Sequence, residues 1–269
     1  LTKGDKAFLS QHIGDLENLT TMDFFKLTVA HLERILEIQP EFIACDMHPD
    51  YLSTRYAKEQ TQIPIIEIQH HHAHIVSCMA EHKLDGAVIG LAFDGTGYGT
   101  DGTIWGGEVL VAEAKQFERV AHLAEVPMPG SSAAIKEPWR MAISYLRLAF
   151  GDDFHNLDLA VLHEIERHKL TIISEMITKG VNAPITSSLG RLFDGVAAIA
   201  GLRSSVNFEG QAAMELEMMA ADSTDTVYDG QWVFEDGYKI LVAPIIRDVV
   251  QDVQSGVSVA QISAAFHST

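Results

Sequence analysis

Four of the thirteen histidines in this chain lie within residues 69–74. A strand-like apolar run precedes them and a helical pattern follows, so we predict that they begin a helix. His70 and His74 then stand four residues apart on one helical face, which directs two imidazoles toward one metal ion. His71 and His72 point elsewhere on this helix, and we expect them to be exposed or to support the ligands.

A carboxylate followed by alternating glycines is the second chemical signal. Asp94 ends another apolar run, residues 86–93, and a glycine-rich segment follows at once. Glycine lets backbone N–H groups approach a phosphate closely, so Gly95, Thr96 and Gly97 are candidates for a nucleotide cradle. The segment matches neither the dinucleotide fingerprint nor the Walker loop, and a plain hairpin turn explains it equally well. With the histidines, it indicates a metal and a phosphate in one site.

Two later segments carry further candidates for nucleotide binding. Residues 189–201 predict a helix with an apolar stripe and a second stripe of small residues that includes Asp194. A ligand can lie against such a face and bond the carboxylate through ribose hydroxyls; helix packing with Asp194 at a solvated rim is the alternative. Glu209, Gly210 and Gln211 stand where another helix begins, and they either seat an anion or sugar or simply cap that helix.

The composition excludes several classes of protein. A hydrophobic content of 47% and a charged content of 21% are typical of ordinary water-soluble domains, and the apolar runs are too short for a membrane span. The net charge of −18, without clustered Lys and Arg, argues against nucleic-acid binding. Cys45 and Cys78 make no disulfide framework and nothing resembles a signal peptide, so we expect a cytoplasmic protein. Because the chain starts at Leu1 and stops within a helical pattern, we expect a piece of something longer.

The elements that must position these side chains alternate between helices and strands and then change pattern. In chain order we predict a helix that starts at 21–23 and continues through 24–39, a strand at 42–45, a helix at 53–60, a strand at 63–68, the histidine helix to about residue 83, three strands at 88–93, 104–112 and 117–126, and mostly helices over 139–221. A hairpin with Asp236 and Gly237 in its turn follows within residues 228–242. This pattern predicts an α/β protein with two lobes, residues 1–83 and 84–269.

Eight segments that together cover nearly the whole chain carry a more specific signal. They are residues 9–18, 46–51, 69–74, 94–97, 105–108, 136–140, 190–194 and 208–213. In order and wording they resemble the C-terminal carbamoyl-transfer module of the HypF family of hydrogenase maturation proteins, which is related to the tRNA threonylcarbamoyl-transfer family.

The resemblance implies both a fold and a reaction. The fold would be the two-lobed acetate kinase/Hsp70/actin-like fold, incomplete here because the family's later Ser-Gly-Gly loop and Asp-Gly-Gly segment are expected beyond Thr269. The reaction would be transfer of a carbamoyl group from carbamoyl-adenylate, derived from ATP and carbamoyl phosphate, to the C-terminal cysteine of the partner HypE. The upstream HypF domains that make the adenylate are absent, so we expect the chain alone to be inactive.

The resemblance also implies roles for single residues. His70, His74 and Asp94 would be catalytic and would hold a divalent metal, zinc or iron, because nitrogen and carboxylate ligands suit both. Binding needs neutral imidazoles and should weaken below about pH 6.5. The adenosine contacts would be Asp194, Glu209 and Gly210.

Three other functions are compatible with parts of this pattern. A tRNA-modifying enzyme of the related family would share the motifs, but the acidic balance weighs against it. A module that only docks a partner would show no response to metal or nucleotide. A sugar or acetate kinase of the same superfold should carry a phosphoryl-acceptor site, and nothing in the sequence identifies one.

Overall fold

The chain divides into two compact units, Leu1–Ala73 and His74–Thr269. The computed structural model describes residues 1–16, 18–222, 226–235 and 237–269. Glu17 of the first family motif and Asp236 of the predicted hairpin turn lie outside the described residues. The lobes predicted at 1–83 and 84–269 stay a prediction.

Helices and strands alternate in the first unit, and the second unit has a sheet and a helical layer. The helices are α1 (Leu19–Leu36), α2 (Leu52–Glu59), α3 (His70–His82), α4 (Ser132–Lys136), α5 (Trp139–Phe150), α6 (Ala160–Glu164), α7 (Arg167–Lys179), α8 (Leu189–Ile199), α9 (Gln211–Met219), α10 (Ala243–Gln254) and α11 (Val259–His267). The strands are β1 (Thr2–Lys3), β2 (Lys6–Ala7), β3 (Ile43–Asp46), β4 (Ile65–Ile68), β5 (Val88–Tyr98), β6 (Ile104–Ala112), β7 (Phe117–Leu123), β8 (Val126–Pro127), β9 (Ile185–Thr186), β10 (Gln231–Phe234) and β11 (Tyr238–Leu241). No helix among the described residues is long and apolar enough to cross a membrane.

A parallel pair of strands organises the first unit. β3 and β4 are joined through α2, and Asp46 at the end of β3 pairs with Ile68 at the end of β4. Parallel strands end at the same edge, so the polar residues that follow both strands are brought together. α1 starts earlier than the sequence predicted, because the Asn18 side chain accepts a hydrogen bond from the Thr21 N–H and caps the helix.

The sheet of the second unit begins with the predicted three-strand meander. β5, β6 and β7 pair antiparallel in succession, and β11 adds parallel to β7 with β10 beside it. β9 pairs with the start of β6 and with β8. Within the described residues these strands form one seven-stranded sheet. β10 and β11 are antiparallel neighbours, so the predicted hairpin is confirmed.

The sequence was wrong about where β5 ends. Phe93 pairs with Gly107 and Gly97 pairs with Trp105, so the strand continues past Asp94 and carries a bulge of three residues opposite one. The tight turn comes later, where the Gly99 N–H bonds the carbonyl of Thr103 at 2.9 Å. A bulge bends the strand and turns its side chains away from the regular alternation, a common device beside functional sites.

A helical layer covers the sheet and fixes α8. Ile143, Val196 and Ile246, from α5, α8 and α10, are completely buried in one core, and each contributes about 1.5–3 kcal/mol through burial. Gly195 allows close packing, since a side chain there would lie 2.6 Å from the Tyr145 ring. α3 packs on the sheet through Ile75, which occupies the space that a side chain at position 90 would need.

Candidate functional site

The histidine helix has the predicted start, which places His70 and His74 in its first turns. α3 begins at His70 and continues to His82, so His70 and His74 lie one turn apart on one face. The Gln69 side chain caps the helix, because its Oε1 accepts the N–H of His72 at 2.8 Å. The spacing argument from the sequence therefore holds at the level of the helix.

A carboxylate that sequence reasoning missed orients His70. Asp46 Oδ2 lies 2.6 Å from His70 Nδ1, and its Oδ1 accepts the backbone N–H of His48 at 2.7 Å. Burial alone would raise the pKa of Asp46, but the hydrogen bonds from His70 and His48 outweigh it and lower that pKa. A carboxylate that accepts the Nδ1 proton fixes the tautomer with its lone pair on Nε2, the arrangement of a metal-ligating histidine.

His74 and Asp94 are brought together in the second unit. His74 Nε2 lies 3.7 Å from Asp94 Oδ2, and the two side chains are 60% and 33% exposed. The other carboxylate oxygen of Asp94 accepts the N–H of Gly95 at 2.6 Å, which fixes the rotamer at the bulge. An imidazole nitrogen and a carboxylate oxygen at this separation are a donor set that fits zinc or iron.

The remaining two histidines of the run are not exposed. His71 is completely buried and His72 is 8% exposed. His71 Nδ1 lies 3.1 Å from Nε2 of Gln69, the residue that also caps the helix. Of the two alternatives predicted for these histidines, exposure is wrong. Support of the ligands stays a prediction, and it is compatible with the contacts of both residues with Gln69.

The bulge in β5 is held from the side by the beginning of α8. The Ser188 hydroxyl is shared between the carbonyls of Asp94 and Gly95, at 3.0 and 2.6 Å, and it accepts the N–H of Arg191. A side chain on Gly190 would lie 2.9 Å from the Cα of Gly95, so the two backbones touch. The structure thus joins the glycine-rich segment to the helix that carries Asp194, which sequence spacing could not show.

A buried carboxylate supports the same bulge from behind. Glu108 is completely buried and accepts the N–H groups of Gly106 and Gly107 at 3.1 and 3.2 Å. Arg119 Nε donates to it at 2.6 Å. A side chain on Gly106 would come within 2.5 Å of the Asp94 carbonyl, so only glycine allows β6 to lie this close to the bulge.

Asp194 does not lie at a solvated rim. Its side chain is 3% exposed, and Oδ2 lies 2.9 Å from Nε of Arg191, itself 2% exposed. Burial raises the pKa of Asp194 to about 6; the Arg191 guanidinium lowers it and the Glu209 carboxylate raises it. The rim alternative is wrong because α8 turns this face into the core. The predicted contact with ribose stays a prediction.

The predicted helix start at residues 209–211 lies beside the bulge. The exposed Glu209 places Oε1 3.2 Å from where a side-chain carbon on Gly95 would stand. Gly210 has φ of +79° and precedes α9, a conformation that favours glycine. Gln211 Oε1 accepts the N–H of Asn207 at 2.8 Å and so ties the preceding loop to α9, but its N-cap residue makes no side-chain hydrogen bond of the kind that the capping alternative predicts.

Thr96 and Gly97 complete the account of the predicted residues. Both lie within the described part of β5, where Gly97 resumes pairing with β6 after the bulge. Of the residues predicted for nucleotide binding, Gly95 and Thr96 lie in the bulge, Glu209 lies beside it, and Asp194 pairs with Arg191 on α8. Arg191 was not predicted. The sequence did hold one signal for it, because residues three apart on a helix can form an ion pair, and Arg191 stands three residues before Asp194.

Two family models match the sequence. One, described as a carbamoyltransferase, Kae1-like domain, second subdomain, matches residues 90–269, and another, the HypF Kae1-like domain, matches residues 1–81.

Named relatives are similar over most of the chain. Carbamoyltransferase HypF2 of Cupriavidus necator is 44% identical over 224 residues, 82% of this chain and 27% of the relative. Carbamoyltransferase HypF of Synechocystis is 37% identical over 284 residues, 100% of this chain and 37% of the relative. The chain therefore spans roughly a third of the length of these relatives.

Two solved structures share the fold. A full-length HypF in the phosphate- and nucleotide-bound form superposes with a TM-score of 0.93 at 45% identity, covering 100% of this chain and 35% of that one. HypF of T. kodakarensis superposes with a TM-score of 0.84 at 32% identity, covering 95% of this chain and 34% of that one.

Proposed function

Because the chain belongs to the HypF carbamoyltransferase family and has its Kae1-like, acetate kinase/Hsp70/actin-type fold, we propose that it carries the carbamoyl-transfer site of a HypF protein. The donor is carbamoyl-adenylate, which other HypF domains make from ATP and carbamoyl phosphate. The acceptor is the C-terminal cysteine of HypE. The reaction takes place in the cytoplasm and involves neither nucleic acid nor a membrane.

The observation that carries this proposal is the pairing of His74 with Asp94 at the bulge of β5. It puts a candidate metal ligand next to Gly95, whose backbone faces the start of α8. The His74–Asp94 pair can bind a divalent metal, and the backbone at Gly95 can lie against a phosphoryl group beside it. The phosphate and nucleotide named for the solved HypF structure agree with this chemistry.

The residues proposed as metal ligands are His70, His74 and Asp94. Asp46 holds the first of them in the tautomer that ligation needs. When bound, zinc or iron would supply positive charge that polarises the carbamoyl oxygen or screens the phosphate. The donor set on α3 and β5 fits such an ion.

The nucleotide occupies the bulge and its surroundings in this proposal. Gly95, Thr96 and Gly97 are the residues proposed to lie against the phosphate. The Gly95 N–H already bonds the Asp94 carboxylate, so this glycine contributes close backbone approach and not a donor. The residues proposed for the adenosine end are Asp194, Glu209, Gly210 and Gln211.

The transfer step balances without a nucleophile from this chain. The thiolate sulfur of HypE attacks the carbamoyl carbon, a C–S bond forms, and the C–O bond to the adenylate phosphate breaks. AMP leaves with the bonding electron pair, and the thiol proton passes to solvent. Cys45 is poorly suited to attack, because burial and the nearby Glu67 raise the pKa of its thiol.

Substitution of the histidines tests the proposal. In a HypF protein that contains this chain, supplied with ATP, carbamoyl phosphate and HypE, His70→Ala and His74→Ala should abolish carbamoylation of the HypE cysteine, measured by mass spectrometry. His71 is a poor control because it is completely buried. His82→Ala, at the exposed end of the same helix, should keep full activity. Full activity of His74→Ala would refute the proposed site.

A further inference from the structure

The buried ion pair of α8 leaves part of an arginine unused. Arg191 is 2% exposed and its Nε lies 2.9 Å from Asp194 Oδ2. Nε and Nη1 are both buried, and neither makes a hydrogen bond to any described residue, so the contact with Asp194 is an ion pair only. A guanidinium has five N–H donors in a rigid fork, and leaving buried donors unmade costs free energy. The ion pair with Asp194 therefore does not by itself account for this guanidinium.

The third nitrogen of this guanidinium points toward the glycine bulge. Nη2 lies 3.8 Å from the position of a side-chain carbon on Gly95, and it is the Arg191 atom that comes within 4 Å of that point. Ser188 holds the bulge against α8 by bonding the Gly95 carbonyl and the Arg191 N–H together. Ser188 thus fixes the backbone of Arg191, and the ion pair with Asp194 holds its guanidinium from the side of Nε.

Opposite charges flank the space that glycine leaves at position 95. Arg191 Nη2 stands on one side and Glu209 Oε1, 3.2 Å from the same point, stands on another. A phosphate is attracted to the first and repelled by the second, whereas sugar hydroxyls can donate to a carboxylate. The two charges therefore orient a molecule that has an anionic end and a hydroxyl-bearing end.

We propose that Arg191 contacts the phosphate of the bound adenylate through the donors that face Gly95, and that Asp194 positions Arg191 for this contact. The inference rests on the proposed function, since it assumes the nucleotide at the bulge. As the carbamoyl C–O bond breaks, negative charge grows on the departing AMP phosphate. A permanently charged guanidinium at that point favours departure.

The test compares AMP with adenosine, which differ only in the phosphate. Calorimetric titrations use the whole chain as wild type, as Arg191→Gln/Asp194→Asn and as Arg147→Gln, a partly buried arginine on α5 that serves as control. The double variant removes both buried charges at once and so avoids an unpaired one. Wild type and control should bind AMP about 10-fold or more tightly than adenosine. The double variant should lose this preference, so that the ratio of its AMP affinity to its adenosine affinity falls to about one, whatever the loss of Asp194 does to the binding of both ligands.

Each other outcome has a definite meaning. A preference for AMP that survives in the folded double variant, or its absence in wild type, overturns the inference and leaves the proposed function standing. A wild type that binds neither ligand overturns both. If the double variant does not fold, the side-chain N–H resonances of Arg191 in wild type decide: they should shift with AMP and not with adenosine, and no shift with AMP overturns the contact.

Discussion

In two places a carboxylate lies against a nitrogen-bearing side chain, and the two pairs differ in how deeply they are buried. Asp46, at the end of β3, and His70, just after β4, meet with 18% and 24% of their side chains exposed. Asp194 and Arg191 meet on α8 with 3% and 2% exposed. The first pair keeps a ring in place where an ion from solvent can reach it. The second pair holds a permanent charge inside the protein, where its position cannot adjust.

In both pairs the carboxylate serves to orient the group beside it. Asp46 selects the tautomer of a proposed ligand, and Asp194 fixes the direction of a guanidinium. The partly exposed pair should therefore affect metal binding much more than folding stability. The buried pair should affect both folding stability and nucleotide binding. Substitutions that separate these effects test the distinction.

The largest expected effect is on folding stability from the buried pair. Arg191→Gln alone leaves the Asp194 carboxylate buried without its cation and should destabilise the chain by about 3–5 kcal/mol. Arg191→Gln/Asp194→Asn should recover most of that loss, since two neutral amides replace two charges. Urea unfolding measures both. Equal losses in the single and double variants would mean that packing, not charge, accounts for the effect.

The pH dependence of stability gives the next largest effect. Unfolded Asp194 releases its proton near 3.8, whereas the folded protein holds it until about pH 6. Between these values the folded state binds more protons, so this stability contribution is complete below pH 3.8 and is lost as pH rises to about 6. The loss is on the order of 2–3 kcal/mol.

Asp194→Asn provides the comparison for this prediction. Unfolding free energies of wild type and variant, measured from pH 4.5 to pH 7.5, should differ by an amount that changes up to about pH 6 and is constant above. The subtraction removes groups common to both proteins. A difference that does not change with pH would show that Asp194 is ionised over the whole range in the folded state.

The smallest expected effect separates binding from folding at the exposed pair. Asp46→Asn should weaken zinc binding by about 10–100-fold, because a metal-ligating histidine loses its orienting partner. Folding stability should change by less than about 1 kcal/mol, as the amide oxygen can still accept the His48 N–H. Asp50→Asn, an exposed carboxylate beside Arg55, is the matched control. Unchanged zinc affinity in Asp46→Asn would show that Asp46 does not orient His70 for metal binding.

The sequence predicted the parts of this structure that depend on local spacing. The i, i+4 relation of His70 and His74 follows from helical periodicity alone, and so does the meander of β5, β6 and β7. The fold class and the family followed from motif order and are confirmed.

What the sequence did not predict depends on contacts between distant residues. Asp46 reaches His70 because β3 and β4 pair in parallel register, which spacing does not reveal. The burial of Asp194 with Arg191 depends on how α8 packs in the core, and the i, i+3 spacing of the two was the only local hint. β5 passed its expected end because Gly106 lets β6 follow the bulge.

Zinc titration by calorimetry tests the central claim, a metal site on α3 and β5, most directly. The wild-type chain and His82→Ala should bind zinc with equal affinity, and His74→Ala should bind it at least about 10-fold more weakly, because the ring that faces Asp94 is gone. Equal zinc affinity in wild type and His74→Ala, or no zinc binding by the wild-type chain, would contradict the account.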